Sequence, residues 1–134
     1  MGWALIVRAC VAGEVLSGPY TAEVLRVIDG DTIEARVRIW LGQDVTARIR
    51  VRGIDTPELR GRCPGEREAA AGARKHLTML LAGVPVTLSR IGNDKFGGRL
   101  DASVALPDGS DIAHAMKLAG HAREWSGRRG ACPG

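Results

Sequence analysis

The sequence has little of several features that commonly reveal a function. Aromatic residues make up only 4% of the 134 residues, with one Phe, one Tyr and three Trp, so a broad base-stacking surface is poorly supplied. The sequence contains no run of 18 or more apolar residues, and it therefore predicts no membrane-spanning helix. The three cysteines lack any C-x-x-C spacing, which argues against a zinc site.

What the sequence does have is the composition of an ordinary globular domain with a basic balance. Hydrophobic residues make up 45% and charged residues 25% of the chain. The length fits one domain, and a domain of this size can bury a stable core without needing disulfides or a structural metal. The formal net charge is +4 and the isoelectric point is about 9.4. A basic balance favours partners that carry phosphate, but small basic proteins with other roles are common, so charge alone assigns no partner.

The two ends of the chain are predicted to lie outside the folded domain. Residues 3–12 are mostly apolar and end in small residues, as in a secretory leader, but Arg8 interrupts them and no basic residue precedes them. We interpret this segment as a degenerate leader, and secreted, periplasmic and cytoplasmic locations all stay open. The chain is therefore divided into an N-terminal segment (1–21), one domain (22–126) and a short C-terminal tail (127–134).

The hydrophobic pattern predicts strands and helices in a definite order. Apolar residues occupy every second position in several segments, which is the period of a half-buried strand. They recur at spacings of three and four after Pro64 and after Ile112, which is the period of a helix. The predicted strands are 22–28, 33–40, 45–51, 84–91 and 100–106.

The predicted order is three strands, a loop over residues 54–62, a helix, two strands and a second helix. A small five-stranded Greek-key barrel of the OB type requires this order, although periodicity alone is compatible with other α+β arrangements. We predict an α+β, mainly β, fold: a five-stranded OB-fold Greek-key barrel with two helices.

Three arginines alternate with apolar residues in the third predicted strand. Arg48, Arg50 and Arg52 therefore share one face of that strand. Considered alone, the pattern is explained by a solvated sheet face at least as well as by a phosphate-binding face.

Four carboxylates fall in two short loops that follow predicted strands. Asp29 and Asp31 follow the first strand, and Asp55 and Glu58 follow the third. Strand ends commonly display functional groups, and converging acids need a cation to neutralise them. Carboxylate oxygens suit a hard ion such as calcium or magnesium. Either segment alone is also explained by turn chemistry, because turns recruit Asp and Gly.

Three short motifs, taken in order, resemble those of the thermonuclease, or staphylococcal nuclease-like, family. They read VIDGDTI, RVRGIDTPE and DKFGGR, and the similarity runs from about Glu23 to about Trp125. Either of the first two motifs is weakly specific by itself, whereas all three in the family's order are strongly specific. The resemblance implies an OB-fold barrel and calcium-dependent hydrolysis of phosphodiester bonds in DNA and RNA.

The resemblance also implies roles for individual residues. Asp31 and Asp55 match the family's metal-binding carboxylates, and Thr56 matches the residue that offers its backbone carbonyl to the metal. Glu58 matches the carboxylate that orients or deprotonates the attacking water. Arg50 matches the first phosphate-binding arginine.

The third motif departs from the family pattern, in which the second arginine lies in a D-x-Y-G-R sequence. An extra glycine is present and Phe replaces Tyr, so strict register puts Gly98 at the arginine position. Because glycine tolerates the backbone angles of a bulge, we favour Arg99 as the second catalytic arginine. Lys95, Phe96 and Arg48 are predicted to contact the substrate.

The cysteines carry one conditional prediction. Cys63 and Cys132 are expected to approach each other if the chain is exported, because Cys63 precedes the first helix and Cys132 follows the last. A cytosolic location would leave the thiols free.

The sequence therefore predicts a monomeric calcium-dependent endonuclease with DNA, RNA or both as its substrate and with no membrane association. The alternative is an OB-fold module that binds nucleic acid or protein and whose catalysis is weakened or lost. The displaced arginine, the scarce aromatics and the lack of a predicted third helix favour the alternative. The complete set of acids together with Arg50 favours the enzyme. The preference for DNA or RNA and the mode of cutting are not decided by the sequence.

Overall fold

The computed structural model describes residues 14–61, 63–94 and 98–125. The strands are β1 (Val15–Leu16), β2 (Tyr20–Asp29), β3 (Thr32–Trp40), β4 (Gln43–Val51), β5 (Ile54–Asp55), β6 (Pro85–Asn93), β7 (Leu100–Ala105) and β8 (Arg123–Glu124). The helices are α1 (Pro64–Leu81) and α2 (Ile112–Leu118). None of the helices in these stretches is long and apolar enough to cross a lipid bilayer.

Five of the strands close into a barrel. β2 pairs antiparallel with β3 and with β6, β3 pairs antiparallel with β4, and β6 pairs antiparallel with β7. A parallel pairing between β4 and β7 closes the ring, which removes the open edges that a flat sheet would expose. The predicted fold class, a mainly β five-stranded barrel with two helices, is confirmed and is consistent with an OB-fold.

The alternating strands supply the core of this barrel. Five alternating residues in the barrel part of β3 and β4 are at most 6% exposed: Ile33, Ala35, Val37, Ile49 and Val51. Helix α1 adds Ala73, Leu77 and Leu81 to the same buried cluster. Leu77 is fully buried, so its truncation to Ala would cost about 2–5 kcal/mol of stability.

Local signals set the ends of the helices. α1 begins at Pro64, whose fixed φ suits a first helical turn, and it ends before Gly83, which has a φ of 69°. α2 begins after Asp111, whose carboxylate accepts a 3.3 Å hydrogen bond from the N–H of Ala113. The helix boundaries therefore follow from residues that the sequence already marks.

The cysteine that precedes α1 is disulfide-bonded. Cys63 occupies the N-cap position of α1 and is 9% exposed. Cys10 and Cys132 lie outside the described residues, so the expected pairing of Cys63 with Cys132 stays a prediction.

Three two-residue strands, β1, β5 and β8, were not expected. Ile54–Asp55, inside the predicted loop 54–62, forms β5 and pairs with β8, so the loop prediction is wrong for these two residues. A two-residue strand has no period to detect, and its partner lies near the other end of the chain. The described part of the N-terminal segment also contains β1, which pairs with β6.

Candidate metal and phosphate site

The turn between β2 and β3 carries the first pair of acids, Asp29 and Asp31. In the β3–β4 ladder Thr32 pairs with Arg50, and the N–H of Val51 donates a 2.8 Å hydrogen bond to the carbonyl of Asp31. The end of β4 is thereby fixed beside the start of β3. Arg50 consequently lies next to Asp31, although a whole hairpin separates the two residues in sequence.

Close packing around Gly30 fixes the second acidic loop against the first. A Cβ added at Gly30 would come within 2.7 Å of the Ala73 Cβ in α1 and within 3.1 Å of the Thr56 side chain. A larger residue would have to push the loop or the helix away. The glycine of the acidic turn therefore allows Thr56, which is 8% exposed, to approach that turn.

One nitrogen of Arg50 lies close to both predicted metal-binding carboxylates. Its Nη2 atom is 3.6 Å from Oδ2 of Asp31 and 3.4 Å from Oδ1 of Asp55. The same nitrogen donates a 2.9 Å hydrogen bond to the carbonyl of Ile54. The side chains of Arg50 and Asp31 are only 13% and 11% exposed, so removing either one would leave a poorly solvated charge behind.

Asp29 and Asp31 interact closely within the acidic turn. Oδ1 of Asp31 accepts a 2.9 Å hydrogen bond from the Thr32 hydroxyl, and the N–H of Asp31 donates a 3.3 Å bond to Asp29. Burial first, and then the side-chain hydrogen bond and the charge of Asp31, raise the pKa of Asp29 from 3.8 to about 7. The charge of Glu58 acts in the same direction. Burial is the largest cause of this shift, and a nearby cation would oppose the smaller part that comes from the neighbouring carboxylate charges.

The donors fit a hard cation held by few protein ligands. Asp31 and Asp55 each direct an oxygen toward one Arg50 nitrogen, and Thr56 follows Asp55 directly as the predicted backbone ligand. Oxygen donors of these kinds are what calcium and magnesium prefer. Among the described residues, no three or more His, Cys, Asp or Glu side chains are grouped to hold a metal. A cation here would therefore complete its coordination with water or substrate oxygens.

Glu58 lies on an exposed loop that the start of α1 holds in place. Its N–H donates a 3.4 Å hydrogen bond to Glu66, and its carbonyl accepts one of 3.0 Å from Gly61. Arg67 donates a 3.0 Å hydrogen bond to the Gly61 carbonyl. The exposed Glu58 carboxylate interacts electrostatically with Asp29.

Arg99 is held by an ion pair within its own turn. Its Nε contacts the carboxylate of Asp94, and the N–H of Asp94 donates a 3.1 Å hydrogen bond to the Arg99 carbonyl. Asp94 is 7% exposed and the Arg99 side chain is 30% exposed. The charge of Asp31 also acts on Arg99, so Arg99 lies within electrostatic reach of the acids. Gly98 has a φ of 72°, the left-handed conformation that favours glycine.

A cleft of about 500 Å³ lies between β4 and the residues Asn93 and Gly98 to Leu100 at the ends of β6 and β7. Two predicted residues, Arg48 and Arg99, line it together with Glu34 and Asn93. Within the described ranges Arg48 has no salt-bridge partner. Lys95 and Phe96, the other predicted substrate contacts, lie outside the described residues.

Sequence reasoning missed charged neighbours of the predicted residues. Arg123 Nη2 lies 3.5 Å from Oδ2 of Asp55, and Asp101 is paired with Arg50 in the β4–β7 ladder. Oδ1 of Asp101 is buried and accepts no hydrogen bond from the described part of the chain. Burial, and then the charge of Asp94, raise the pKa of Asp101. Asp101 occupies a polar position in a strand of alternating pattern, so the sequence predicts only that its side chain faces outward. The pattern does not indicate that one of its oxygens is buried.

Comparison with known proteins finds relatives of this chain. Two curated Escherichia coli proteins, one of them from O157:H7, are each described as an uncharacterized endonuclease. Each is 32% identical to this chain over 108 residues, which are 81% of this chain and 63% of the relative. The chain thus spans somewhat less than two thirds of the length of the curated relatives it matches. No protein-family model matches the chain.

Proposed function

We propose that this protein is a calcium-dependent endonuclease that hydrolyses phosphodiester bonds in DNA and RNA, acting as a monomer. The observation that carries the proposal is the position of the Arg50 Nη2 atom, within 3.6 Å of carboxylate oxygens from both Asp31 and Asp55. A cation-binding acid pair and a phosphate-binding guanidinium are thereby combined at one point. The likeness to two proteins described as endonucleases supports the same reaction class.

Phosphodiester hydrolysis sets three chemical requirements for such a site. Negative charge on the phosphate has to be neutralised, the attacking water has to lose a proton, and the charge of the pentacoordinate state has to be stabilised. Asp31, Asp55 and the Thr56 carbonyl would hold calcium, which supplies Lewis-acid activation and a template for the phosphate when bound.

The remaining requirements fall to side chains of the chain itself. Glu58 orients the attacking water and accepts its proton, a role that typically contributes about 10²–10⁴-fold in rate. Arg50 and Arg99 donate hydrogen bonds to the phosphate oxygens, and these interactions strengthen as charge develops. Arg48, which has no salt-bridge partner among the described residues, attracts the polyanion to the cleft.

A nuclease assay with purified full-length protein tests this proposal. Closed circular plasmid and total RNA are incubated with calcium, and parallel samples receive excess chelator. We expect conversion of the plasmid to nicked and linear forms and shortening of the RNA, both lost in chelator. An Asp31→Asn variant serves as the control for contaminating nuclease. Undiminished cutting in chelator, or equal cutting by the variant, would contradict the proposal.

One observation favours a second candidate, a binding module with weakened catalysis. The Arg99 guanidinium contacts the buried carboxylate of Asp94, so it has to keep or exchange that partner when it binds phosphate. A site that retained nucleic-acid affinity without the second arginine would bind and not cut. Oligonucleotide binding with no cleavage under any metal condition would select this candidate.

A further inference from the structure

The tip of the β3–β4 hairpin exposes large apolar side chains. Trp40 is 72% exposed and Leu41 is 86% exposed, and Ile39 and Val45 beside them are 47% and 42% exposed. These four residues are called the hairpin tip below. Clustered apolar exposure of this kind on a small protein commonly marks a binding surface.

The hairpin tip projects beyond the strands that flank the hairpin. Pairing of β2 with β3 ends at Ala22 opposite Val37, and pairing of β7 with β4 begins only at Ile49. In the described structure, residues 38–44 therefore pair only with each other. A two-stranded ribbon with two open edges gains little stability by itself and invites aggregation, and the pairings that close the barrel do not include this extension.

Arginines connect the hairpin tip to the candidate site. Arg36 and Arg38 lie two residues apart on β3, about 7 Å from one to the next, and their side chains are 48% and 59% exposed. Arg48 of β4 lies between them and Arg50 along the ribbon, opposite Glu34. From Thr32 at the site to Trp40 the ribbon extends for roughly 26 Å.

The carboxylate partners of these arginines leave capacity for phosphate. Arg36 contacts Glu23 at 3.3 Å and Arg38 contacts Asp44 at 2.6 Å. Exposed ion pairs of this kind contribute only about 0–1 kcal/mol. Arg38 uses its Nε for Asp44, and so its two terminal nitrogens remain available to a second anion.

We propose that the outer face of the β3–β4 hairpin binds single-stranded nucleic acid on the path away from the scissile phosphate. Arg48, Arg36 and Arg38 contact successive phosphates, and Trp40 stacks on an unpaired base. That the bound polymer is nucleic acid rests on the proposed function. The length of the ribbon sets the footprint at on the order of four to eight nucleotides beyond the cleavage point. The run of arginines back to the candidate site favours a nucleic-acid strand over a membrane surface.

Binding measurements on a Trp40→Ala variant test the inference. Fluorescence anisotropy is measured in calcium with labelled single strands of about 20 and about 4 nucleotides, in the full chain carrying Glu58→Gln to suppress cutting. Loss of one stacked base should weaken binding of the long strand by about tenfold and leave the short strand unchanged. Leu118→Ala and Met79→Ala, which remove side chains that are 75% and 67% exposed elsewhere, should change neither affinity by more than about twofold.

The possible outcomes separate this inference from the proposed nuclease activity. Equal affinity of Trp40→Ala and its parent for the long strand would overturn the hairpin surface while leaving cleavage intact. If Trp40→Ala weakens binding of the long strand but the protein with Glu58 intact never cuts that strand, the hairpin surface stands and the nuclease proposal fails. If the parent binds no oligonucleotide, both fail. If Trp40→Ala loses binding to phosphatidylserine vesicles and keeps oligonucleotide affinity, the surface is a membrane contact and the inference is wrong.

Discussion

Arg50 and Asp31 form a largely buried ion pair, with 3.6 Å between Nη2 and Oδ2. The pair exists because Thr32 lies opposite Arg50 in the β3–β4 ladder. In this arrangement the guanidinium supplies positive charge to the oxygens that a metal ion would use. Arg50, which we propose binds phosphate, and the proposed metal would therefore compete for the same carboxylates.

This competition predicts that Arg50→Met binds calcium more tightly than the parent while its turnover falls. Removing one positive charge about 4 Å from the acids should lower the calcium Kd roughly tenfold, since such an interaction is worth about 1–4 kcal/mol at protein surfaces. Isothermal titration calorimetry measures the change. Arg48→Met, which removes a guanidinium with no carboxylate partner, is the matched control. Unchanged or weaker calcium binding by Arg50→Met would exclude the competition.

Calcium should also stabilise the folded protein through Asp31 and Asp55. A ligand that binds only the folded state raises stability by about 2.7 kcal/mol at one hundred times its Kd, so saturating calcium should raise Tm by several degrees. Thermal unfolding followed by circular dichroism measures this shift. Asp31→Asn and Asp55→Asn should each lose most of it, whereas Asp108→Asn, in an exposed turn, should keep it. A full calcium shift in both site variants would remove these acids from the metal site.

Glu58→Gln should lower turnover by roughly 10²-fold or more and leave the fold intact. The side chain is exposed, and it is the main chain of Glu58 that makes the hydrogen bonds to the Glu66 carboxylate and to the Gly61 N–H, so Tm should not change. Steady-state cleavage of a defined oligonucleotide measures the loss. Glu68→Gln on the exposed surface of α1 is the control for a simple change of charge. Turnover within about threefold of the parent rate would remove Glu58 from the mechanism.

Loss of the second arginine should match loss of the first in severity. Arg99→Lys keeps a positive charge beside the buried Asp94 but loses the paired N–H donors of the guanidinium, which we propose bind phosphate. It should lower the rate by about 10²–10³-fold. Arg50→Lys should cost a similar amount, while Arg48→Ala should cost far less and lose its effect at high salt. Single-turnover cleavage rates compare the three variants. Parent-like cleavage by Arg99→Lys would remove the second arginine from the phosphate clamp.

Protein expressed under oxidising conditions should contain one free thiol. Cys63 is disulfide-bonded, and the sequence predicts Cys132 as its partner. Titration of thiols in the denatured protein gives the count, and peptide mapping without reduction identifies the pair. Cys63→Ser should cost about 2–5 kcal/mol of stability. Three free thiols, or a mapped pair of Cys63 with Cys10, would contradict the predicted bridge.

Local patterns in the sequence determined most of the fold. Alternation in residues 33–40 and 45–51 marks strands because a half-buried strand has a period of two. Pro64 and Gly83 mark the ends of α1 because of their own backbone preferences. The acids of the two loops could be named as candidates for the same reason, since turns after strands are also local features.

Only the tertiary structure decided which of these residues meet. The Arg50–Asp31 distance depends on strand register, the contact of Gly30 with Thr56 depends on where α1 lies, and the β5–β8 pairing joins distant parts of the chain. The buried Asp101 oxygen likewise results from the parallel β4–β7 pairing that closes the barrel. A sequence pattern specifies which side of a strand a residue faces. Which neighbour it meets there is set by long-range pairing and closure, because these are properties of the whole chain.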